Sequence, residues 1–137
     1  MVKIEGSNDK FFLELEKEEL ESVIMDILTS NRYKRTIQVA PGLDATFQTL
    51  LAKEQTELLK GLEDIDANSR FGIQQAGGLR SLAAQLTSVG DANEVTLEYL
   101  ENMAQPIIAV LGSWLEVFNN MVKQACEGAD LGNSPAP

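Results

Sequence analysis

Few side chains in this sequence are equipped for catalysis. Histidine, the commonest general base near neutral pH and the commonest metal ligand, is absent. The single cysteine, Cys126, is followed by Glu127, and an adjacent carboxylate works against the thiolate that a nucleophile needs, so Cys126 reads as a small packing residue. One thiol also forms no disulfide within the chain, which suits a reducing compartment. Carboxylates gather at Glu18 and Glu19, at Glu63, Asp64 and Asp66, and at Glu98 and Glu101. EDIDAN has the look of a calcium loop but lacks its central glycine and closing bidentate acid, and reads as a solvated helix end. Gly77 and Gly78 in QQAGGLRS follow no strand pattern and have no lysine beside them, unlike a phosphate loop. No catalytic residue, cofactor or metal ligand is assigned on this reading.

Two stretches suit binding better. Ile107, Val110, Leu111, Trp114, Phe118 and Met121 belong to an apolar run that, wound as a helix, covers more than half its circumference. Its first reading is the central core helix. Its second is a surface for another protein's helix, with Trp114, Phe118 and Met121 as anchors of the types that dominate binding energy. Arg32, Lys34 and Arg35 form a basic cluster that either grips an acidic partner or pairs with the acidic first helix.

The elements that position these residues follow from hydrophobic period. Leu20, Val23, Ile24, Ile27 and Leu28 form one stripe of a first helix, with Glu16, Glu18, Glu19 and Glu21 near its positive end and TSNR closing it. FFLEL before it reads as a short strand or a lead-in. From about 33 to 49 the period changes to two. Tyr33, Arg35, Ile37 and Val39 share one face, and Pro41-Gly42 suits the centre of a type II turn. Further helices are expected after Thr49, up to about Ser88 with a kink or close crossing at Gly77-Gly78, and after a cap at Thr96; Pro106 interrupts the last of these before the apolar run. SVGDANEV reads as a linker.

At 137 residues the chain suits one modest core. The expected architecture is mainly α, a small helical domain with one short antiparallel β-hairpin near the N-terminus. Its divisions are a flexible start over 1–10, a single α-rich domain over 11–126, and a disordered tail over 127–137, where Gly, Ser and Pro collect. With 21 Asp and Glu against 11 Lys and Arg, the net charge is -10, which repels nucleic-acid phosphates. No apolar run reaches the roughly 20 residues that span a bilayer, and MVKIEGSNDK lacks the apolar core of a signal peptide. A cytosolic protein is expected.

The order of elements resembles the tail assembly chaperones of long-tailed bacteriophages. The residues carrying the likeness are Arg32-Tyr33-Lys34 and Thr36-Ile37-Gln38-Val39, leading into Phe47-Gln48-Thr49-Leu50 with Glu54 beyond. Leu97, Leu100, Pro106 and the apolar run to Phe118 resemble the family's closing segment. The likeness covers about residues 30 to 125. The related baseplate hub assembly chaperones of contractile-tailed phages show a similar layout. The resemblance implies a non-enzymatic protein of the host cytoplasm that holds the helical tape-measure protein soluble during tail assembly. Its further partners would be the tail-tube subunit and a second copy of the chain, with no nucleic acid and no membrane. The alternative is a structural or scaffolding component retained in the virion.

Overall fold

The structure, a computed structural model, describes residues 2–6, 10–63 and 70–128. The elements in chain order are β1 (Val2–Glu5), β2 (Phe12–Leu15), α1 (Lys17–Ser30), β3 (Lys34–Ala40), β4 (Leu43–Gln48), α2 (Ala52–Glu63), α3 (Arg70–Gln85), β5 (Leu86–Val89), α4 (Leu97–Glu101) and α5 (Gln105–Gly128). Among the described residues the strands form two antiparallel sheets, β1-β2 and β3-β4-β5. The fold is therefore mixed α and β, which corrects the expectation of a mainly helical domain with one hairpin. Where one α-rich domain over 11–126 is expected, the chain forms two compact units.

The first unit holds the residues up to Tyr33 together with those from Ser113 onward. Of residues 1–10, expected from their polarity to be loose unless Ile4 pins them to the body, Val2–Glu5 form β1. Ile4 faces inward opposite Leu13, and Leu15 opposite Val2; Ile4 and Leu15 are both buried. The outward face carries Lys3, whose Nζ lies 4.6 Å from the centre of the Phe12 ring and 3.3 Å from Glu5 Oε1. Strands this short contribute only two inward residues each, too few for alternation to stand out from a polar background. Against this sheet lies α5. Asn120 Nδ2 donates to Glu5 O at 2.8 Å, satisfying a carbonyl on the edge of β1, and a β-carbon on Gly6 would stand 3.3 Å from Val117 Cγ2.

The second unit, Lys34–Gly112, contains the expected hairpin. Ala40 and Leu43 pair across Pro41-Gly42, and Gly42 takes φ 76°, the positive φ that the third residue of a type II turn demands. Such a turn splays a two-residue hairpin, and a register shift between Gln38 and Ala40 follows. Ile37, Val39, Ala45 and Phe47 are buried, while Thr36 and Thr46 join hydroxyls at 2.7 Å on the other face.

A hairpin alone is marginal in water, and here β5 covers its open side. The helix expected to reach Ser88 ends at Gln85, because LTSV pairs with β4 through Leu86, Ser88 and Val89. Leu82, Leu86 and Val89 fit a helical period as well as an extended edge, and β-branched Thr87 and Val89 favour the strand. Gln85 ties the junction: its Nε2 donates to Gln48 O at 3.1 Å, and Gln48 Nε2 donates to Ala84 O at 2.9 Å. Part of the expected linker is thus strand, and its Gly90 N–H donates to Asp44 O at 2.7 Å.

Thr96 caps α4 as expected, accepting from Tyr99 N–H at 3.1 Å. Pro106 does not kink a helix; it stands in the first turn of α5, where its missing N–H costs nothing. α3 is assigned as one helix through Gly77-Gly78, and a β-carbon on exposed Gly78 would meet nothing within 4 Å, so no close crossing occurs at Gly78. Gly78→Ala is expected to raise stability by about 0.5–1 kcal/mol, read as a higher urea midpoint at unchanged slope. A lower midpoint would reveal a contact that the alanine disrupts. The tail beyond residue 128 and the segment from Asp64 to Ser69, including Asp66, lie outside the described residues.

Candidate functional site

The residues that the sequence singles out divide between the units. Arg32, Trp114, Phe118 and Met121 fall in the first, and Lys34, Arg35, Ile107, Val110 and Leu111 in the second. Leu111, Phe118 and Met121 are fully buried. The Tyr33 ring stacks on Phe118, with centroids 5.9 Å apart and planes 6° from parallel. Trp114 is half-buried and meets Phe11 edge-on at 5.5 Å. Val110 is half-buried, and only Ile107 of this set is exposed. The core reading of the apolar run therefore prevails for Leu111, Phe118 and Met121, which corrects their assignment as partner contacts. In the first unit, one cause is the Tyr33 ring stacked on Phe118, a non-local contact that helical period does not contain.

The basic cluster divides between the two units. Arg32 and Arg35 are half-buried and each is engaged in an interaction. Lys34 is exposed on the outward face of β3, where one ammonium beside Thr36 and Gln38 makes a solubilising edge residue.

An apolar surface does emerge on α1. The expected inward stripe there is only partly used: Val23 is buried, Leu20, Ile24 and Ile27 are half-buried, and Leu28 is 58 % exposed. Met25, outside the stripe, is 56 % exposed. The apolar arc is too wide for the single buried position, Val23, to hide. Glu18, Glu21, Met25 and Leu28 are all exposed and stand at i, i+3, i+7 and i+10, so they form one line along the helix. At about 1.5 Å per residue this line runs for roughly 15 Å. Its N-terminal half is acidic and its C-terminal half apolar. Glu18, Glu21 and Asp26 make no ion pair among the described residues.

The helix is held at both ends. Glu19 Oε1 accepts from Glu16 N–H at 3.4 Å, and Asn31, at φ 60°, closes the last turn through its N–H to Ile27 O at 2.8 Å. The line is thus a preformed helical surface. Sequence reasoning missed Met25 because it sought a stripe to bury; the available signal was an apolar arc exceeding what one stripe requires.

Two open grooves stand out among the described residues, one in each unit. One is lined by Glu5, Asn120, Lys123 and Glu127 among others, the other by Thr96, Glu98, Tyr99, Asn102 and Met103. Among the described residues, no group of three or more His, Cys, Asp or Glu side chains is placed to hold a metal ion, and no helix is long and apolar enough to cross a membrane. No protein-family model, curated protein or solved structure matches the chain.

Proposed function

We propose that this protein is a non-enzymatic assembly chaperone of a long-tailed bacteriophage, working in the host cytoplasm, which holds the tape-measure protein soluble until the tail tube forms around it. The observation that carries the reading is the exposed Met25 and Leu28 surface on α1, since a helical client offers the apolar side chains that such a surface lacks. The net charge of -10 supports it by keeping a complex with an aggregation-prone client dispersed. The resemblance in the order of hairpin, helices and apolar closing segment supports it as well.

The test is co-expression with a tape-measure protein from the same phage. The expected outcome is transfer of that protein from the pellet to the soluble fraction, with the chaperone co-purifying. An unchanged pellet contradicts the reading. Abundant, fixed-stoichiometry presence in purified particles by mass spectrometry would favour a virion component instead.

A further inference from the structure

From the line of Glu18, Glu21, Met25 and Leu28, we infer that α1 takes a cationic amphipathic helix whose charge and apolar side chains are segregated along its length. Lysine or arginine lies over the Glu18–Glu21 half, and leucine-like side chains lie over the Met25–Leu28 half. This rests on the reading of α1 as a client surface and adds the chemistry of the client.

The charge distribution selects this occupant. Glu18 and Glu21 are exposed and unpaired among the described residues, and Lys17 is the only basic residue in α1. A second copy of the chain fits poorly. Parallel pairing of two α1 helices sets carboxylates against carboxylates, and antiparallel pairing lays carboxylates on Met25 and Leu28, desolvating them without a partner. The net charge of -10 on each copy adds repulsion. An anionic bilayer is repelled in the same way. A basic helix gains from both halves, and the long flexible side chain of Met25 adapts to more than one apolar partner.

The spacing adds a register. The centres of the two halves are seven residues apart along α1, or about 10 Å, so a helix with lysines and leucines evenly mixed satisfies one half only by misplacing the other. The client segment therefore changes from basic to apolar after about two turns.

Calorimetric titration of the full chain with synthetic alanine-based peptides of about 15 residues tests this. One peptide carries lysines in one half and leucines in the other, made in both chain directions; a second has the same composition, evenly mixed. The segregated peptide, in one direction, is expected to bind about tenfold more tightly, a difference of about 1.4 kcal/mol. Glu18→Gln/Glu21→Gln removes the preference, and added salt weakens binding to the unsubstituted chain.

Equal binding of the two peptides overturns the inference, as does a preference that survives Glu18→Gln/Glu21→Gln in a folded protein. Self-association abolished by Met25→Gln/Leu28→Gln would assign the surface to a second copy and equally overturn it. Because the peptides are synthetic, peptide discrimination without rescue of the tape-measure protein rejects the phage reading alone. Rescue without discrimination rejects the charge register alone.

Discussion

Phe118→Ala lowers the free energy of unfolding by about 3–5 kcal/mol, the cost of emptying a fully buried aromatic site. Phe118 is 0 % exposed and stacked on Tyr33, so the substitution leaves a cavity and one face of a buried ring without its partner. A domain of this size has about 5–15 kcal/mol in total. The variant is therefore expected to melt on the order of 15 °C lower, with a reduced urea midpoint at an unchanged slope. This result separates the two roles first considered for the apolar run. A core residue costs stability wherever the client is, whereas a partner contact costs affinity and leaves the midpoint in place. A change below about 1 kcal/mol would contradict the placement of Phe118 in the core.

Met25→Gln/Leu28→Gln behaves in the opposite way. Both side chains are more than half exposed, and glutamine is a good helix former, so stability changes by no more than about 0.5 kcal/mol. Fully burying each native side chain is worth about 1.5–3 kcal/mol. The part still exposed leaves about 2–3 kcal/mol for a client to gain from the pair, which corresponds to a 30- to 150-fold loss of client affinity on substitution, about what the arithmetic of binding requires. Titration of the client into matched folded variants measures it. A loss under about threefold would place the client elsewhere.

How far these roles can be read from the chain depends on local pattern. The hairpin was legible because Pro41-Gly42 selects its turn and Ile37, Val39, Ala45 and Phe47 alternate beside it. The α4 start was legible in Thr96, whose hydroxyl accepts from the Tyr99 N–H. β2 was half legible, since FFLEL suits a short strand or a lead-in, but β1 was not: with Lys3 and Glu5 outward, its four residues show too little period to reveal a partner strand. β5 was hidden because Leu82, Leu86 and Val89 suit two periods, and its pairing with β4 is a non-local contact that local propensity does not contain. The candidate site failed for a related reason. The apolar run of α5 suits a core and a partner surface equally well, and period alone does not choose between them; the burial of Leu111, Phe118 and Met121 does. The apolar surplus lay on α1, a less apolar helix with a single buried residue.

Hydrogen exchange of the full chain, alone and in complex with the tape-measure client, tests the location of the binding surface most directly. With only Val23 buried, α1 has little tertiary anchoring, so its amides are expected to open locally at low cost and exchange early in the free protein. The client is expected to slow exchange most strongly over residues 20–28. Slowing confined to the β3 edge or to the exposed start of α5, with residues 20–28 unchanged, would contradict it.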